Sequence, residues 1–188
     1  MVFFSSVRQF AVKSVFALVA ALTAFSFAAC QPDAGNDFVD DHKLNQSLIG
    51  TWEDEGEWAG DSYAITDTHL SYGYGDDFVS YAGAIKYTSN FTPTAGVIII
   101  EYDADHKPEY YAGYDPDTYE PIGDPLPLKG NFIGIYYKDL KPGVSVQMGG
   151  AYTDGGAEVA TLDAAIAMFT VGYADTYMSY YGTYTRQP

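Results

Sequence analysis

The chain has 188 residues, with 25 acidic side chains against nine basic ones and a net charge of −16. So acidic a balance excludes nucleic acid as a partner, because phosphate binding needs a basic face, and it sets the protein against anionic lipid head groups. Aromatic residues make up 16% of the chain, with 18 tyrosines among them, and 19 glycines accompany them; tyrosine and phenylalanine favour strands and glycine supplies turns, so the composition predicts a β protein.

In chain order, the first element is a leader. Arg8 and Lys13 are the only charges before Cys30, and Val15 to Leu22 is wholly apolar. A basic start, a short apolar core and small residues before a boundary predict a secretory signal peptide over residues 1–29. The core is shorter than the roughly 20 residues a membrane span needs. Phe27-Ala28-Ala29-Cys30 resembles the lipobox of bacterial lipoproteins, with Phe27 where the pattern usually has Leu. The resemblance implies cleavage before Cys30 and lipid on its thiol; an ordinary cleaved signal with a chance cysteine is the other reading. Two or three acyl chains anchor stably, at about 0.8 kcal/mol per buried methylene, so the expected partner is a membrane, reached through Cys30. Gln31 resembles the outer-membrane default, which implies a lipoprotein of the bacterial cell envelope at that membrane. Without Arg8 and Lys13 the balance is seven basic residues to 25 acidic, or −18, and Cys30 is the only cysteine, so no disulfide is available to the core. Residues 30–47 read as a flexible tether and 48–188 as one domain.

Gly50 to Trp58 alternates imperfectly, with Trp52 and Trp58 on one face, Glu53, Glu55 and Glu57 on the other and Asp54 interrupting the apolar face; the period of two still predicts a half-buried strand. Ser62 to Thr66 and His69 to Tyr74 read as a hairpin turning at Asp67-Thr68. Tyr81 to Thr88 resumes strand, with Ile85 and Tyr87 on one face, and Pro93 and Gly96 mark the next turn. Val97 to Tyr102 is the most apolar strand. Asp103 to Gly130 carries five prolines and many acids and reads as an irregular excursion. Asn131 to Tyr137 and Val144 to Met148 are strands around a Lys141-Pro142-Gly143 turn, and Asp154-Gly155-Gly156 is a loop. Thr161 caps a short helix in which Leu162, Ile166 and Phe169 fall at helical spacing. Thr176 to Arg186 reads as one long tyrosine-rich strand. The prediction is an all-β, antiparallel up-and-down barrel of about eight strands, with one short helix before the last strand.

Gly50-x-Trp52 on the first strand and Arg186 at the end of the last resemble the calycin pattern of lipocalins and fatty-acid-binding proteins. The resemblance implies that Trp52 closes one barrel end with Arg186 packed on it, a contact of roughly 0.5–2 kcal/mol; a plain core role for Trp52 is the alternative. The second lipocalin motif, Thr-Asp-Tyr, has no counterpart at its expected place. More loosely, the chain resembles bacterial lipocalin-like lipoproteins of unassigned activity.

A barrel of about eight strands either fills with side chains or holds one small ligand. Candidate lining residues for a small hydrophobic or amphipathic ligand are Trp58, Tyr63, Ile65, Leu70, Tyr72, Ile85, Tyr87, Ile98, Ile100 and Ile135. A filled core in a structural or protein-interaction lipoprotein is the competing expectation, and an internal cavity of roughly 300 Å³ or more separates the two. Asp103, Asp105, Asp115, Asp117 and Glu120 crowd the excursion, but their spacing matches no EF-hand, so a solvated acidic loop is expected and no metal or other cofactor. The excursion's Tyr111, Tyr114 and Tyr119 suit either a fold over the barrel mouth or a protein contact. His42, His69 and His106 are scattered, with no nucleophile beside an evident base, and Glu53, Glu55 and Glu57 point outward together. No enzyme is expected.

Overall fold

A computed structural model of the chain describes residues 40–54, 56, 59–75, 78–151, 157–178 and 181–188. The predicted leader, Cys30, Gln31, Glu55, Glu57, Trp58 and the Asp154-Gly155-Gly156 loop lie outside the described residues. The strands are β1 (Gly50–Asp54), β2 (Asp61–Ile65), β3 (His69–Tyr74), β4 (Phe78–Thr92), β5 (Ala95–Tyr102), β6 (Phe132–Lys141), β7 (Ser145–Gly150) and β8 (Gly182–Arg186), with helices α1 (Leu162–Met168) and α2 (Val171–Tyr177) before β8. Each strand pairs antiparallel with the next, and β8 pairs back with β1. The result is a closed eight-stranded up-and-down barrel, which leaves no edge strand exposed.

Alternation sets which side chains enter the barrel. On β5 and β6 the directly opposed pairs Ile98↔Ile135 and Ile100↔Ile133 share the inner face, and Ile99↔Gly134 and Val97↔Tyr136 share the outer one. Val97, Ile98, Ile99 and Ile100 are all fully buried, so this stretch is covered on both sides. The outer cover comes from the helices. Gly134 has no Cβ, and one added there would lie 2.7 Å from the Phe169 ring. That bare backbone lets Phe169 press onto the sheet. One turn later Tyr173 of α2 stacks on Tyr136, with ring centroids 5.9 Å apart and planes within 3°. Thr161 caps α1 by accepting from the Ala164 amide, and Thr170 caps α2 by accepting from the Tyr173 amide. A second helix therefore stands where the sequence predicts none; the final strand begins at Gly182, and Thr176 and Tyr177, expected at its start, are instead the last residues of the helix. Its formation depends on Tyr173 finding Tyr136, a tertiary contact that local pattern does not show.

A further correction concerns the supposed tether. Its last residues lie along β4: Asp40 accepts from the Ser89 hydroxyl at 2.6 Å, the Asn90 amide donates to the Lys43 carbonyl at 2.9 Å, and the Tyr87 hydroxyl meets His42 Nδ1 at 3.0 Å. Leu44 packs on the core and Leu48, ending the 3₁₀ turn Gln46–Leu48, is fully buried. The excursion after β5 is also more ordered than its composition predicts. The bridges Tyr110↔Leu126 and Tyr114↔Pro121 make it a narrow finger, and Asp115 shapes the tip by accepting from the Asp117 and Thr118 amides.

Candidate functional site

The barrel has two levels with different contents. At the lower one, Leu48, Trp52, Ile65 and Leu70 are sealed from solvent. The Trp52 indole N–H donates to the Leu48 carbonyl at 2.7 Å. Arg186, the cross-strand neighbour of Trp52 on β8, holds its guanidinium 5.3 Å from the indole ring centre. Gly50 makes this possible. Its φ of +134° suits only glycine, and a Cβ there would fall 1.2 Å from an Arg186 nitrogen. Gly50, Trp52 and Arg186 thus pack together, the guanidinium taking the space that a Cβ on Gly50 would fill and facing the indole, with its Nη1 buried and without a hydrogen-bond partner among the described residues.

Two residues further along the same strands the contents change. From Ile65 to Tyr63 on β2, Leu70 to Tyr72 on β3, Ile100 to Tyr102 on β5 and Arg186 to Tyr184 on β8, aliphatic or plugging residues give way to tyrosine. These four rings, with Tyr81 from β4 and Tyr110 from the finger, surround a cavity of about 350 Å³. Asp61, Ile133, Met148, Gly149, Gly150 and Ala151 complete its wall. The rings form a continuous belt. Tyr184 meets Tyr63 edge-on at 5.0 Å, Tyr63 meets Tyr72 at 4.7 Å, Tyr72 stacks on Tyr81 at 5.1 Å, and Tyr81 meets Tyr102 edge-on at 6.0 Å. Cross-strand register produces this directly, since Tyr63 opposes Tyr72 and Tyr72 opposes Tyr81.

The polar groups of the belt are only partly satisfied within the protein. The Tyr72 hydroxyl donates to the Asp61 carboxylate, and the Tyr63 and Tyr81 hydroxyls share a bond of 3.3 Å. The Tyr110 hydroxyl donates at 2.7 Å to Glu158, a carboxylate only 3% exposed. The Tyr102 hydroxyl is buried and has no partner among the described residues. Leaving such a group unpaired costs about 1–3 kcal/mol, so the wall offers an unused hydrogen-bonding position. Burial pushes the Tyr63, Tyr81 and Tyr102 hydroxyls well above the ordinary tyrosine value, which keeps them neutral in this setting.

Of the sequence-derived lining candidates, the structure brings Tyr63 and Tyr72 to the cavity. Ile65, Leu70, Ile98, Ile100 and Ile135 are buried in the packed core and do not line it, and Ile85 is packed against that core. Tyr87 faces outward. A bulge between Ile85 and Tyr87 makes them oppose Ile100 and Ile99, which lie on opposite faces, so the shared face expected from strict alternation is lost. Tyr81, Tyr102, Tyr110 and Tyr184 were missed. A usable signal existed for two of them: Tyr102 is in phase with Ile98 and Ile100, and Tyr184 with Arg186.

The remaining candidates are placed elsewhere. His69 Nε2 lies 2.7 Å from Asp103 at the surface. No three acidic, histidine or cysteine side chains among the described residues are placed to hold a metal ion. Tyr114 and Tyr119 stand exposed on the finger, Tyr119 by 80%. No protein-family model matches the chain, and neither a curated protein nor a solved structure matches it, so the barrel and its cavity are what speak for function.

Proposed function

We propose that this chain is a lipid-anchored envelope protein whose calycin-like barrel binds one small amphipathic ligand. The observation that carries the reading is the cavity of about 350 Å³, within the range of small-molecule sites. Its wall combines apolar ring faces with an unpaired hydroxyl, the mixture that suits a molecule with an apolar body and one polar group. The Gly50, Trp52 and Arg186 plug supports the calycin comparison, because it shuts one end and leaves the tyrosine level as the ligand space. The anchoring half rests on the basic start, the apolar run and Phe27-Ala28-Ala29-Cys30.

The test is purification of the full chain from a host that processes lipoproteins, followed by mass spectrometry of the protein and of its organic extract. Expected are a diacylglyceryl-modified Cys30 at the new N-terminus and a co-purifying small molecule. Gly150→Leu should abolish retention of that molecule with the fold intact. A Cβ at Gly150 meets only the Tyr81 hydroxyl at 3.5 Å and Ile135 at 3.8 Å, so a larger side chain enters the cavity without striking backbone. Retention unchanged by Gly150→Leu would overturn the cavity as the site. A second reading, a module that docks on a protein, draws on the exposed Tyr114, Tyr119 and Ile122 of the finger.

A further inference from the structure

Resting on that reading, we propose that the tyrosine cavity selects a protonated organic amine, with the ammonium group held between the Asp61 and Tyr102 sides of the wall. The first support is what lines the cavity. Six tyrosines and Asp61 are present, and no lysine, arginine or histidine is among the lining residues. An anion would find no countercharge there. Aromatic faces carry negative potential and attract cations by roughly 0.5–2 kcal/mol each, more as water is excluded. Successive rings along Tyr63, Tyr72, Tyr81 and Tyr102 turn by 41°, 29° and 64°. The belt is therefore curved and can offer more than one ring to one cation.

The second support is buried negative charge without a protein cation. Glu158, 3% exposed, stands behind Tyr110 and is hydrogen-bonded to it. Neither Glu158 nor Asp61 is in an ion pair among the described residues. A buried carboxylate with no countercharge is costly, and a ligand cation nearby offsets that cost. The third support is the Tyr102 hydroxyl, 5% exposed and unpartnered. Its oxygen can accept from an ammonium N–H, a donor that quaternary ammonium lacks. The net charge of −16 adds a field that draws cations to the mouth.

The test is titration calorimetry of the full-length protein with octylammonium, octanol and octanoate at 0.15 M salt, three probes sharing a tail and differing in head-group charge. Octylammonium should bind about tenfold tighter than either of the others. Asp61→Asn, which keeps an acceptor for Tyr72, and Tyr102→Phe should each weaken octylammonium several-fold and leave octanol unchanged. Asp163→Asn, an exposed site on α1, should change nothing. Equal or tighter binding of octanol or octanoate overturns the amine assignment while ligand binding itself stands. Loss of octylammonium affinity with Asp163→Asn equal to that with Asp61→Asn overturns it too, as an effect of bulk charge. Silence with all three probes defeats both the assignment and the ligand-binding reading. Tyr102→Phe decides the matter if Asp61→Asn fails to fold.

Discussion

The two levels of the barrel are built on the same strands and differ by a step of two residues. Below, Trp52, Ile65 and Leu70 fill the interior, and the one charged group, Arg186, lies over an aromatic face. Above, tyrosines of comparable bulk stand around open space, and among the described residues each level keeps one buried polar atom unpaired, Arg186 Nη1 below and the Tyr102 hydroxyl above. The contrast teaches that hydrophobic bulk alone does not close a barrel. Branched aliphatic chains interdigitate across the axis, whereas planar rings that lean on one another along the wall line a space without filling it.

The largest effect should come from alkaline pH, which strikes the upper level. Tyrosine ionises near pH 10 in the unfolded chain, while burial raises the folded values of Tyr63, Tyr81 and Tyr102. Above about pH 10 the unfolded state binds fewer protons, so stability complete below that point falls as pH rises, by about 1.4 kcal/mol per pH unit for each such tyrosine. Urea unfolding at pH 9, 10 and 11, with absorbance at 295 nm, measures this. Reversible ionisation of all tyrosines near pH 10 without unfolding would mean that the upper level is wet throughout.

Next in size, Trp52→Ala should cost about 3–5 kcal/mol in chemical denaturation, far more than any single tyrosine-to-phenylalanine change in the cavity. Parity between them would erase the distinction of levels. Gly50→Ala should cost about 2 kcal/mol, since it imposes a strained φ and drives Arg186 off the indole; loss of the indole's circular-dichroism signature would report the displaced guanidinium. The smallest effect has the opposite sign. Tyr102→Phe removes a buried, unpaired hydroxyl and should stabilise the protein by about 1 kcal/mol, read as a raised melting temperature. No gain would indicate that water already satisfies the group.

Much of the lower level was legible in sequence. Alternation around Asp67-Thr68 gave the β2–β3 hairpin, sequential turns gave the strand order, and Gly50-x-Trp52 with Arg186 pointed to a common end. The cavity was less so, because its residues come from eight separate stretches of chain and meet only through register. The bulge after Ile85 sends Tyr87 outward, the finger returns Tyr110 to the barrel, and Tyr173 makes a helix by finding Tyr136. Each is a decision made by partners distant in sequence, where a local pattern of tyrosine and small residues is silent.

The seam between the first and last strands has its own consequence. Among the described residues, Trp52↔Arg186, Glu53↔Thr185 and Asp54↔Tyr184 join them, with one more bond from the Gln187 amide to the Thr51 carbonyl, against eight paired positions between β4 and β5. Contacts so remote along the chain are slow to form. The middle sheet can assemble early, yet the ring stays unsealed until β8 docks on β1, and that late latch sets when the interior first becomes a separate compartment.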